Sequence, residues 1–435
     1  MSHATAQAQR DAALPSHGAA LDGAALDGVE LEALAQRIPT PFHAYSASTI
    51  RARIATLQHA LAGCDALICF AAKANPNVAI LQLMAKAGLG ADIVSAGELA
   101  RALRAGIAAQ RIVFSGVGKS AEEIGAALDA GILRFNLESR DELECLQRIA
   151  CERGAVANAA VRVNPDVDAR THAKISTGKA ENKFGVSMDE ARAWFASSAL
   201  FPNVRLDGLH VHIGSQLLEV EPYRLAFARV AAFWRELIEG GNPIASIDIG
   251  GGLGVCYRAQ HDAPIDVADY IAAARTALRG FEGRLVLEPG RWLVAEAGVL
   301  LTRVLRIKRG AERDFLVLDA AMNDLARPSL YDAWHEIEHV SATDSEAVSY
   351  DIVGPVCESA DTFARARRLP RCAAGDLLMI RNTGAYGASM ASTFNSRPLI
   401  AEVLLDDGRY AIVRRRQTVE ELTAGERAAD TWCTP

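Results

Sequence analysis

No apolar run in this sequence approaches the roughly 20 residues that a membrane-spanning helix needs, which excludes a helical membrane protein. A basic start followed by an apolar stretch, the mark of a secretory signal, is also missing. Residues 1–30 are rich in Ala, Gly and His, carry an imperfect echo (GAALDGAALDG), and are expected to form a mobile tail. Positive charge is not in surplus. A net charge of -7 gives no reason to expect nucleic acid or an anionic membrane as partner. The eight cysteines (Cys64, Cys69, Cys145, Cys151, Cys256, Cys357, Cys372 and Cys433) show neither CxxC spacing nor nearby histidine pairs. That speaks against a zinc site or a disulfide scaffold, so no metal is expected and a reducing cytoplasm is the expected home. A GxGxxG turn after the first strand is absent too, which counts against an open dinucleotide-binding sheet.

What is present is a regular alternation. At 435 residues, half of them apolar, the chain is long enough for two domains. Short apolar or β-branched runs occur at 66–70, 91–94, 112–116, 133–137, 159–164, 209–214, 246–251 and 284–289. Between most of them lie Ala/Leu/Glu-rich stretches with helical periodicity. The pairs Ser95/Glu98, Ser120/Glu123, Ser139/Glu142 and Ser187/Glu190 have capping-box spacing, and Gly88, Gly106 and Gly131 stand where helices would end. Parallel neighbours need crossover connections, so eight such units predict an α/β fold with a closed (β/α)8 TIM-like barrel over residues 47–291. Beyond it, strand-like segments such as GVLLTRVLRIKRG, RDFLVLDA, SYDIVG, DLLMIRN and PLIAEVLLDDGRYAIVRRRQ predict a mostly antiparallel Greek-key or sandwich-like β-domain over 292–425. Residues 31–46, with the strand-like TPFHAYS, are assigned to the same domain.

A barrel carries its chemistry at the carboxyl ends of its strands. The polar residues there are Lys73 after the first strand, Asp92 and Ser95 after the second, and Arg162 and Asn164 at the fifth. The sixth offers His210, His212 and Ser215, the seventh Asp248 and Gly250–Gly252, and the eighth Glu288 and Arg291. Each has a plainer reading: a solvated lysine, a satisfied core histidine, a turn relieved of crowding, a strand-end carboxylate paired with an arginine. Together they describe more. A lysine behind a buried strand is expected to have a depressed pKa and to attack an aldehyde, and a glycine run offers backbone N–H groups to phosphate.

In order along the chain stand FAAKANPN, ADIVSAGEL, ENKFG, GLHVHIGSQ, DIGGGLGV, EPGRWLV, RPSLYDA, GPVCESAD and NTGAYGASM. This series resembles diaminopimelate decarboxylase, of the fold-type III (alanine-racemase-like) class of pyridoxal 5′-phosphate (PLP) enzymes. The resemblance runs from about Pro41 to about Asp406. It departs mildly at Phe70-Ala-Ala, where the family often has Tyr-Ala-Val or Tyr-Ala-Leu, and the tail has no counterpart in it.

The resemblance implies roles. Lys73 would hold PLP as a Schiff base, His212 would stack on the cofactor ring, and Glu288 would pair with the pyridine nitrogen. Ser215 and Gly250, Gly251 and Gly252 would cradle the phosphate, with Gly290, Arg291 and Tyr386 assisting and Asp92 beside the cofactor. Arg291, Arg327 and Tyr331, with Tyr386, would grip the distal carboxylate of meso-diaminopimelate, and Glu358 its distal ammonium. Cys357 and Glu358 would reach in from the second subunit of a homodimer. Either Cys357 or Lys73 would return a proton to Cα. The expected reaction is decarboxylation to L-lysine and CO2, the last step of lysine biosynthesis. Alternatives are a related decarboxylase acting on ornithine, arginine or carboxynorspermidine, an alanine racemase, or a non-catalytic PLP-binding protein. Ornithine and arginine lack a distal carboxylate, so their sites should place an acid where Arg327 stands.

Overall fold

The computed structural model describes residues 25–168, 183–259, 261–341, 343–429 and 432. Residues 1–24 of the expected tail, and Glu181 and Asn182 of the ENKFG string, lie outside the described residues. Within the span expected to be tail, β1 (Ala25–Leu26) and β2 (Val29–Glu30) form a hairpin turned by Asp27-Gly28, both at positive φ. Leu31–Arg37, expected in a strand-rich segment, is a helix instead. Its Leu31, Leu34 and Ala35 recur at helical spacing and pack into one apolar cluster with Phe42, Val299 and Val403.

After β3 (Phe42–Ser46), eight parallel strands close into a barrel: β4 (Ala66–Ala71), β5 (Gly90–Ile93), β6 (Ile112–Phe114), β7 (Arg134–Leu137), β8 (Ala157–Arg162), β9 (Val204–His210), β10 (Ser246–Asp248) and β11 (Arg284–Leu287). Pairing of β11 with β4 completes the ring. Leu67, Cys69, Val113 and Val286 form a small apolar cluster of their own on these strands. The large core lies between strands and helices; the helix Glu221–Glu239 alone buries Tyr223, Phe227 and Trp234. All four serine caps accept the backbone N–H three residues on, and Gly88, Gly106 and Gly131 are left-handed. The sixth strand was expected at 209–214 but runs Val204–His210, so His212 stands in the loop beyond it.

The rest of the chain builds a separate mixed sheet from β12 (Gly298–Arg309), β13 (Asp314–Leu318), β14 (Ile337–His339), β15 (Ala347–Val353), β16 (Thr362–Pro370), β17 (Leu377–Arg381), β18 (Ala401–Asp406) and β19 (Arg409–Arg414). β3 lies inside it, antiparallel to β12 and parallel to β18. The chain leaves this sheet after β3, builds the whole barrel, and returns. β13–β15 is the other parallel pair; the remaining pairings are antiparallel. β16 escaped the sequence reading because Arg365, Arg367 and Arg368 obscure its alternation, as suits a charged edge strand.

Candidate active site

β4 ends at Ala71, and a single 3₁₀ turn (Ala72–Ala74) carries Lys73 over the barrel mouth. Its Nζ donates to Oδ2 of Asp92, fully buried on β5, at 2.5 Å. The expectation of a depressed lysine pKa needs correcting. Burial works against the charge, but the carboxylates of Asp92 and Glu288 outweigh it and raise the pKa.

Glu288 follows β11 and is buried. Its Oε1 accepts from Ser115 Oγ (3.2 Å) and Asn136 Nδ2 (3.0 Å), and Nε2 of His210 lies 3.1 Å from its Oε2. Burial, reinforced by Asp92 and opposed by Lys73, pushes its pKa up to about 7. A carboxylate this costly to charge favours a cationic partner. Ser115 and Asn136 were missed in the sequence, although each is a polar residue at or inside a strand of the barrel, IVFSG and LRFNL.

His212 accepts the Gly251 N–H at Nδ1 (3.2 Å), which places its own proton on Nε2. Burial, then Arg162, holds it well below the usual imidazole pKa, hence neutral. The glycine loop has no room for side chains. A Cβ on Gly250 would lie 2.4 Å from Val211 O, on Gly251 2.2 Å from Glu288 O, and on Gly252 2.3 Å from Gly214 O. Gly250 N–H is committed to Oδ1 of Asp248 (2.9 Å), whose Oδ2 accepts from Arg134 on β7 (2.9 Å). Two of the three N–H groups expected to meet phosphate are therefore spoken for. Gly252, Leu253 and Ser215 line the cavity; Gly250 and Gly251 stand behind it.

Two buried guanidiniums also line the cavity. Arg291 begins the short helix after β11 and donates from Nη1 to Tyr257 Oη (2.8 Å) and from Nη2 to Ser215 Oγ (3.0 Å), beneath the ring of Tyr386. Arg327 belongs to the second domain, stacks on Tyr257 and donates to His335. Tyr386 has a left-handed backbone (φ 57°) secured by its N–H to Ala74 O (2.8 Å). The cavity these groups enclose measures about 400 Å³ and also takes in Gly290 and Tyr331. Cys357 and Glu358 do not join it. They are exposed on the loop after β15, where Cys357 N–H donates to Asn395 Oδ1 (2.8 Å).

Residues 47–295 match the family model of the pyridoxal-dependent decarboxylases, pyridoxal binding domain. Diaminopimelate decarboxylase of Pseudomonas aeruginosa is 48% identical over 417 residues, 96% of this chain and 97% of that protein. This chain belongs to the diaminopimelate decarboxylases. The family's enzyme from Zymomonas mobilis is 46% identical over 403 residues, 92% of this chain and 96% of its own. Among solved members, the diaminopimelate decarboxylase from Helicobacter pylori complexed with L-lysine is 44% identical, with a TM-score of 0.88 over 91% of this chain and 98% of that one.

The family's cofactor is PLP, and the cavity suits it on chemical grounds. Lys73, Glu288 and His212 line the cavity together, a primary amine, a buried carboxylate and a neutral imidazole that would suit an aldehyde, a pyridine nitrogen and an aromatic ring. Among the described residues, Arg291 Nε, on the cavity wall, is buried without a hydrogen-bond partner, so the pocket retains polar capacity for a ligand.

Proposed function

We propose that this chain decarboxylates meso-2,6-diaminopimelate to L-lysine and CO2, closing lysine biosynthesis. The observation that carries the substrate is the pair Arg291 and Arg327. Both are buried on the cavity wall, and among the described residues their side chains hydrogen-bond a phenol, a hydroxyl and an imidazole. Two buried cations held by neutral groups favour an anionic ligand, and planar guanidiniums match a carboxylate in two-point contact. Tyr331 and Tyr386 flank that end.

When bound, PLP supplies an aldehyde for the substrate amine and a sink for the electron pair left on Cα as CO2 departs. Lys73 is the amine that would carry the cofactor. Asp92 and Glu288 favour its protonated form, so Nζ would give up a proton on taking the cofactor up. Glu288, fixed by Ser115, Asn136 and His210, would favour a proton on the pyridine nitrogen. His212 would present a neutral ring to the cofactor. Gly252, Leu253 and Ser215 would hold the phosphate, while Gly250 and Gly251 hold Asp248 and His212 in place. Arg291 and Arg327 orient the substrate so that the carboxylate at the other end is the one lost.

Exposure of Cys357 and Glu358 away from their own cavity supports a homodimer in which each subunit completes its partner's site. Cys357 or Lys73 then returns the proton to Cα, and Glu358 takes the distal ammonium. If Cys357→Ala is inactive on its own, mixing it with a Lys73→Ala variant should restore up to a quarter of wild-type activity through mixed dimers; no restoration would then overturn the shared site. No helix among the described residues is long and apolar enough to cross a membrane, and a cytoplasmic location fits the proposed reaction. Incubation with diaminopimelate, ornithine, arginine and carboxynorspermidine, measuring CO2 and lysine, tests the substrate. Preference for ornithine would remove the specificity and leave the cofactor.

A further inference from the structure

Arg291 and Arg327 come from different domains, yet they must act on one carboxylate. Like charges so placed repel, and among the described residues no carboxylate is hydrogen-bonded to either. Tyr257, in the loop after β10, joins them. Its hydroxyl accepts from Arg291 (2.8 Å), its ring face lies 4.3 Å from the Arg327 guanidinium carbon, and its ring meets that of His335 edge-on at 5.2 Å. His335 completes the arrangement from the second domain. Its Nε2 accepts from Arg327 Nη1 (2.7 Å), and its Nδ1–H donates to Arg381 O on β17 (2.7 Å). Those two bonds dictate one neutral tautomer, which burial and the neighbouring Arg327 reinforce.

A carboxylate in place of His335 would aim Arg327 equally well but neutralise it. Imidazole nitrogen and phenol face orient a guanidinium while leaving its charge for the ligand. The loop after β10 makes two more contacts nearby: Arg258 lies over the Trp334 ring at 4.1 Å, and Asn382, just after β17, donates from Nδ2 to Cys256 O (2.7 Å). The contact thus ties the loop after β10 to the segment around β14.

We infer that Tyr257 and His335 are positioning residues that set the spacing and aim of the two arginines, and through them the preference for a substrate end bearing a carboxylate. The inference rests on the reading of those arginines as the distal clamp. The test is binding to the PLP-loaded enzyme, followed by the cofactor's absorbance, of L-lysine and of 1,5-diaminopentane, which is L-lysine without its carboxylate. Wild type should bind L-lysine more tightly; equal binding would defeat the clamp itself. His335→Leu should weaken L-lysine about tenfold, the scale of one charge-assisted hydrogen bond, and leave 1,5-diaminopentane within about twofold. His335→Gln, with a carbonyl to accept from Arg327 and an amide to donate to Arg381, should recover most of the loss. Tyr257→Phe, which keeps the ring, should give a smaller loss of about threefold for L-lysine alone. If wild type discriminates and the His335→Leu ratio is unchanged, or both ligands weaken alike, the inference falls. Should His335→Leu fail to load cofactor, an unchanged ratio in Tyr257→Phe decides against it in the same way.

Discussion

Lys73 Nζ and Asp92 Oδ2 lie 2.5 Å apart across the first two strands of the barrel, so the amine proposed to take up the cofactor begins as one half of an ion pair. The pairing sets a cost on cofactor loading, because only the neutral amine attacks an aldehyde. Asp92→Asn should therefore lower the Lys73 pKa and move the pH profile of PLP capture by apo protein to lower pH. Stopped-flow absorbance of cofactor binding checks the direction; a profile that stays put or moves up would show that Glu288 alone sets the lysine's charge.

Glu288 is expected to matter for the chemical step more than for binding. Glu288→Gln keeps the hydrogen-bonding shape but cannot favour a protonated pyridine nitrogen, and kcat should fall by at least about a hundredfold, with KM changing far less. Steady-state kinetics separate the two. Loss confined to KM would point to a packing role.

Arg327→Ala should mainly raise KM, since the contact it removes is made in ground and transition states alike. A rise of about 10- to 100-fold corresponds to one lost charge-assisted contact. An unchanged KM for diaminopimelate would show that the distal carboxylate is held elsewhere.

Gly251→Ala tests the glycine loop as a mechanical element. The new Cβ meets Glu288 O at 2.2 Å, so backbone must shift, at an overpacking cost of about 1–3 kcal/mol. Tm should drop and PLP affinity with it, because the displaced atoms belong to Glu288 and to the hydrogen bond on His212. Wild-type Tm and cofactor affinity in this variant would remove the argument.

Much of the site was readable in the linear chain because barrels expose strand ends by rule. Lys73, His212, Glu288 and Arg291 could be placed at one mouth from strand order alone, and all four line the cavity. Tyr257 and His335 could not. Tyr257 lies in a loop, His335 in an irregular stretch before β14, and neither falls at an expected strand end. Ser115 and Asn136 were visible as polar residues within apolar strand runs, yet nothing local says that both point at Glu288. The strand β16 hid behind its arginines, and the helix Leu31–Arg37 behind too short a window of periodicity.

The eightfold repeat of strand, capped helix and glycine, written in hydrophobic period and turn chemistry, determined the barrel and placed Lys73, His212, Glu288 and Arg291 at one mouth without any long-range information. Tertiary structure alone decided the lysine's charge, the hydrogen-bond commitments of Gly250 and Gly251, and which neutral groups hold the two arginines. Those outcomes depend on distances between residues far apart in the chain, and electrostatics and steric exclusion follow distance in space, on which local patterning is silent.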